Sequence, residues 1–160
     1  MNTQTIQKSV AASLVLAVAI FSQAGAAPDK ATVVKERQLH MKSIADDNKA
    51  ILDYSKGRTT KEAAEKAIAD LKARNAKTLS YFADKSTSAA DMPGVSKAKP
   101  EIWTDKAKFT GFVTALKTQI DKQEKLIKTG TPEEVGAAQA ELGKTGCGGC
   151  HGAFRAQAAG

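Results

Sequence analysis

Residues 131–155, TPEEVGAAQAELGKTGCGGCHGAFR, decide how the rest of the chain is read. Thr131 offers a capping hydroxyl, Pro132 a proline at the first helical position, and Glu133 and Glu134 put acids in the first turn, where the helix dipole favours them. Val135, Ala138 and Leu142 then carry a helical period on to Cys147 and Phe154. Cys147-Gly148-Gly149-Cys150-His151 therefore sits late in a helix. Spacings of three and four residues project both thiols and the imidazole from one side of it.

That pentapeptide is C-x-x-C-H, the attachment signature for a c-type haem. Two thiols can form thioethers with the two vinyl groups of one porphyrin, and the adjacent imidazole of His151 reaches the iron as proximal ligand. Three other uses of the same residues are weaker. A thioredoxin-like dithiol needs its cysteines at a helix N-terminus after a strand, where the dipole lowers a thiol pKa; no strand pattern precedes this motif. A structural disulfide between Cys147 and Cys150 is the second. A zinc site would need four ligands, for which Cys147, Cys150, His151 and His40 are the candidates. His40 itself falls off the apolar stripe of its helix and reads as a surface residue.

Redox compartment bears on this choice, and the N-terminus speaks to it. Lys8 provides a positive n-region without acids, Val10 to Phe21 a short apolar core, and Ala24-Gly25-Ala26 the small residues of a cleavage site. Residues 1–26 thus read as a secretory signal and residues 27–160 as one exported domain, with a bacterial periplasm as the destination. Removing Lys8 with the signal takes the formal net charge from +7 to +6. The composition, 42% hydrophobic and 26% charged, excludes a disordered or collagen-like chain. No apolar run reaches the roughly 18 residues that span a bilayer, so no membrane insertion is expected. With two cysteines in all, a disulfide-rich scaffold is excluded as well.

Upstream of residue 131 three more helical stretches follow from periodicity and turn signals. The first runs from about Thr32 to Lys56 and ends at Gly57, with Val34, Arg37, Met41, Ile44, Asn48, Ile51 and Ser55 facing inward. The second opens at Thr59, with Glu62 completing a capping box, and runs to about Phe82. Ala64, Ile68, Leu71, Asn75, Thr78, Leu79 and Phe82 share its inner face. A polar loop from Asp84 to about Pro100 leads to the third, about Thr104 to Lys128, with Phe109, Phe112, Val113, Leu116, Ile120 and Ile127 inward. Short connections favour antiparallel neighbours, so the expected fold is all-α, an antiparallel four-helix bundle with one haem near the C-terminus. Its inward positions include many small or polar residues, so something else is expected to fill part of the interior.

Only nine residues follow His151, too few to fold back with a second iron ligand. A distal ligand must come from upstream, where Met41 and Met92 carry the thioethers left after signal removal. Met92 lies in the polar loop; Met41 lies on the inward stripe of the first helix and is the candidate, either as iron ligand or as a core methionine covering the distal face.

With these motifs in order along the chain, the sequence resembles the class II cytochromes c, the cytochrome c′ superfamily. The resemblance rests on Arg37-Gln38-Leu39-His40-Met41, on Pro100-Glu101-Ile102-Trp103 and on Cys147 to Arg155. It implies that Arg37 lies near a haem propionate, that Arg155 lies near the proximal imidazole, and that Met41 occupies the distal position. An arginine on a core stripe also wants an anionic partner in its own right. The expected function is a monohaem electron carrier, not an enzyme, with His151 and Met41 as axial ligands of a low-spin iron. The alternative is a high-spin, five-coordinate protein that binds nitric oxide or carbon monoxide. The positive balance suits acidic redox partners. No nucleic-acid binding is expected, and the chain could be a monomer or a homodimer.

Overall fold

The computed structural model describes residues 28–157; the signal segment expected at 1–26 lies outside them. Four helical rods form the body. They are α1 (Lys30–Ser55), α2 (Lys61–Lys77), α4 (Lys106–Thr129), and a final rod made of α5 (Pro132–Glu141), a π-helical segment (Leu142–Gly148) and α6 (Gly149–Phe154). A short α3 (Glu101–Thr104) and two 3-10 turns, Thr78–Phe82 and Lys85–Thr87, belong to the long connection. Helix α1 packs beside α2 and α5, and α4 beside the same two, which is an up-down square of antiparallel neighbours.

Local chemistry sets the helix ends. Asp29 caps α1 by accepting from the Thr32 backbone N–H, so the helix starts at Lys30, two residues before the expected Thr32. At the other end Gly57 takes φ 66°, and the Arg58 and Gly57 N–H groups close back on Asp53 and Tyr54 carbonyls at 2.8 and 2.9 Å. Thr60 rather than Thr59 caps α2, accepting from Ala63, so Glu62 does not complete a capping box there. The cap expected at Thr131 is present, and it is a full capping box: the Thr131 N–H donates to Glu134 Oε2 at 2.8 Å.

Two elements depart from the periodic pattern. The second helix tightens to a 3-10 turn after Lys77, which leaves Leu79 exposed while Thr78 stays buried. The third helix opens close to its expected start, at Lys106, because Asp105 caps α4 through Lys108; the short α3 just before it is a separate turn that periodicity does not predict.

The core divides lengthwise. Ile44, Ile51, Ala64, Ile68, Leu71, Ile120, Ile127, Val135 and Leu142 form one cluster, drawn from all four rods. A smaller one, Ala98, Ile102, Phe109 and Phe154, lies at the other end, extended by Phe82, Trp103 and Phe112. Here the connecting loop is tied to the end of α6: Lys99 N donates to Phe154 O at 2.9 Å and Ala156 N to Lys97 O at 2.8 Å.

Candidate haem site

Between the two clusters lies a cavity of about 760 Å³, which confirms that the bundle's own side chains leave its interior incompletely filled. Val34, Met41, Phe82, Phe109, Phe112, Val113 and Leu116 give it an apolar wall, and Cys147, Cys150 and His151 line the wall formed by the last rod. Arg37 and Arg155 line it too. All six residues singled out from the sequence thus border one space. Met92 does not line it and stays in the loop.

The wall that carries the cysteines is not a regular α-helix. Leu142–Gly148 widens into a π-helical turn, which periodicity does not predict. Glycines let this turn lie close on α4. A Cβ on Gly146 would stand 2.5 Å from Gln119 Oε1 and 3.0 Å from Leu116 Cδ1, and one on Gly149 would stand 3.1 Å from the Phe112 ring. Gln119 also donates to Thr145 Oγ1 at 2.6 Å, pinning the widened turn. Gly148-Gly149 within the motif therefore serve close packing, Gly148 on the Gly143 carbonyl and Gly149 on Phe112.

The protonation states follow from burial. Both cysteines are half-buried free thiols; burial pushes Cys150 up to about 11, with Cys147 adding to it, and raises Cys147 as well. They are neutral thiols held among apolar groups, unlike the low-pKa thiols of redox dithiols. Desolvation lowers the His151 pKa, and the charge of Arg155 lowers it further. A neutral imidazole is the form that binds a metal.

Arg37 is 4% exposed and buried beside the cavity. It donates to Thr87 Oγ1 (3.0 Å), Thr87 O (2.9 Å) and Ser96 Oγ (2.9 Å), and its guanidinium stands 5.0 Å from the Phe82 ring. Burial lowers its pKa, opposed by the charge of Asp84, but an arginine stays cationic. Three of its five N–H groups are engaged by neutral acceptors of the loop, which leaves two for an anion. This loop-anchoring role has no signal in the local sequence, because Thr87 and Ser96 lie fifty and fifty-nine residues away.

His40 corrects an expectation. It is buried, 7% exposed, with Nε2 3.2 Å from Thr78 Oγ1 and its ring stacked on Tyr81 at 4.2 Å. It faces α2 and the 3-10 turn that follows it, not solvent. Among the described residues no cluster of three or more His, Cys, Asp or Glu side chains could hold a metal ion, so the zinc alternative with His40 has no geometry.

A donor set of two thiols and one neutral imidazole on an apolar cavity wall, with arginines beside it, fits a covalently attached haem and defines a c-type cytochrome built on a helical bundle. The chain belongs to the cytochrome c′ family, whose sequence model matches residues 32–155. Solved cytochromes c′ share the fold. That from Rhodobacter sphaeroides is 27% identical with a TM-score of 0.72, covering 81% of this chain and 99% of that one. A nitric oxide complex of a variant from Alcaligenes xylosoxidans is 25% identical at TM-score 0.66, covering 81% and 98%. The protein from Rubrivivax gelatinosus is 25% identical at TM-score 0.63, covering 79% and 96%. A search of curated proteins finds no matching relative. Membership settles the cofactor as covalently bound haem c, which Cys147 and Cys150 fit. Proteins of this family are haem-based carriers or gas binders and typically periplasmic, and no helix among the described residues is long and apolar enough to cross a membrane.

Proposed function

We propose that the protein is a periplasmic monohaem electron carrier, with Cys147 and Cys150 as thioether positions, His151 as proximal ligand and Met41 as distal ligand. One observation carries this reading: Met41 of α1 lines the same cavity as the Cys147–His151 wall of the last rod. The bound haem supplies a one-electron couple between ferrous and ferric iron. The chain's residues do the rest. Apolar side chains line most of the cavity wall, and Met41 and the neutral His151 imidazole would offer the iron a soft thioether sulfur and a nitrogen. The two N–H groups of Arg37 that the loop does not engage would serve a propionate, and the positive charge of Arg155 acts on His151. A six-coordinate iron that changes little on reduction suits electron transfer. Residues 1–26 are the export signal in this account, so the mature chain is 27–160, and its partners are acidic redox proteins.

Gas binding is supported by one specific observation, the nitric oxide complex of the Alcaligenes xylosoxidans relative. On that alternative Met41 covers the distal face without bonding, and nitric oxide or carbon monoxide displaces it. The optical spectrum of the ferrous holoprotein separates the two. Low-spin bands that turn high-spin in Met41→Ala support the carrier. High-spin bands in the unaltered protein, with ready carbon monoxide binding, support the gas binder and overturn ligation by Met41.

A further inference from the structure

The rods that border the cavity meet through buried amides as well as through apolar packing. On α4, Gln119 and Gln123 stand one helical turn apart and both reach the last rod. Gln123 Nε2 donates to Val135 O at 3.0 Å and to Gln139 Oε1 at 3.3 Å, while Gln119 Nε2 donates to Thr145 Oγ1 at 2.6 Å. Gln139 carries the connection on to α1, its Nε2 donating to Asn48 Oδ1 at 2.7 Å. Asn48 in turn donates to Ile44 O of its own helix at 2.8 Å. Every rod except α2 is tied in this way, and Asn48 and Gln139 both line the cavity.

Stability alone does not account for these amides. Gln123 is 1% exposed, and the side-chain oxygens of Gln119 and Gln123 are buried without a donor among the described residues. An unpaired buried oxygen is a cost that a methionine of similar length does not carry, and replacing both partners of a buried hydrogen bond by apolar groups is close to neutral. What the amides add is direction and fixed length. Apolar side chains repack when helices slide, whereas a hydrogen-bonded amide between helices permits one register.

The ties bracket the π-helical turn. Gln139 lies three residues before its first residue, Leu142, and Thr145 lies inside it, two residues before Cys147. Because a π-helical turn departs from the regular helical repeat, α5 alone does not fix the residues beyond it. Gln119 anchors the rod again just before the cysteines. On α1, Asn48 is seven residues, two turns, from Met41 on the same face.

We propose that Gln119, Gln123, Gln139 and Asn48 are positioning residues: their hydrogen bonds set where the Cys147–His151 wall stands relative to Met41, and so the surroundings of the haem. The role given to Met41 here rests on the electron-carrier reading.

The test uses holoprotein whose single haem is confirmed by mass. Two bonds are broken from either end with apolar substitutes, Gln139→Met or Asn48→Leu for one and Gln119→Met or Thr145→Val for the other, singly and as pairs. Ile127→Val, in the closed cluster, is the control. Denaturation midpoint, circular dichroism in the haem bands and reduction potential are measured on each. The paired variants should keep the denaturation midpoint yet change the haem dichroism and shift the potential. Ile127→Val should lower the midpoint and leave both haem signals alone. Within a pair, the double variant should shift them no further than the larger single, since one bond is lost either way. Haem signals unchanged in both pairs overturn the proposal, and so do shifts that simply add, because each side chain would then act on the haem by itself. The haem dichroism reads the wall in either spin state. High-spin bands in the unaltered protein therefore sink ligation by Met41, and an unmoved dichroism in the variants sinks the positioning role.

Discussion

At one end of the bundle Ile51, Ile68, Leu71, Ile120, Ile127 and Val135 are at most 2% exposed and meet across all four rods, whereas at the other the same rods turn Met41, Asn48, Phe112 and Leu116 toward a cavity of about 760 Å³. The closed end is completed by side chains alone. The open end is assembled from rings, glycines, a buried arginine and a loop tied to the last helix. A bundle can leave one end unfilled only because the other holds the helices in place, and the unfilled end is then free to take a large prosthetic group.

The contrast can be broken most sharply at the cysteines. Replacing both Cys147 and Cys150 with serine should abolish covalent haem, read as loss of the added mass, while circular dichroism still reports a helical chain held by the closed end. Next in size, Leu71→Ala removes a fully buried side chain and should cost about 2–5 kcal/mol in chemical denaturation. That cost should be the same with and without haem. Phe112→Ala, on the cavity wall, should cost more in the holoprotein than in the haem-free chain, because only there does the ring have a partner on its cavity side. Gly146→Ala drives a methyl into Gln119 and Leu116 and should cost about 1–3 kcal/mol, with a shifted optical spectrum showing that the cysteine wall has moved.

The smallest effect concerns His40. Burial lowers its pKa, and the charges of Arg74 and Lys77 lower it further. The folded state therefore prefers the neutral ring, and the unfolded chain takes up a proton first as pH falls below the ordinary value of about 6.5. Stability of the holoprotein should decline as pH falls from there toward the lowered folded value, and flatten below it. His40→Gln should make that slope shallower in denaturation curves measured across the window, leaving the part that His151, whose pKa is lowered too, contributes.

Much of this was legible because the deciding signals are local. Thr131-Pro132 and Gly57 mark helix ends through their own backbone chemistry, and C-x-x-C-H places three functional groups within five residues. What was illegible depends on distant partners. His40 is off the apolar stripe, yet it is buried because Thr78 and Tyr81, nearly forty residues on, receive it. The acceptors of Arg37 lie in a loop whose path no periodicity reveals. The π-helical turn has no periodic signal, because apolar spacing over seven residues cannot distinguish a widened turn from a regular one, although Gly146, Gly148 and Gly149 mark where a side chain would crowd its neighbours. Leu79 was assigned inward by a 3.6-residue period that the 3-10 turn cuts short.

The most direct measurement is the intact mass of the protein purified from a periplasm competent in cytochrome maturation. A single species equal to residues 27–160 plus one haem is the expected result. A colourless protein with the bare mass of its polypeptide would contradict the account at its root.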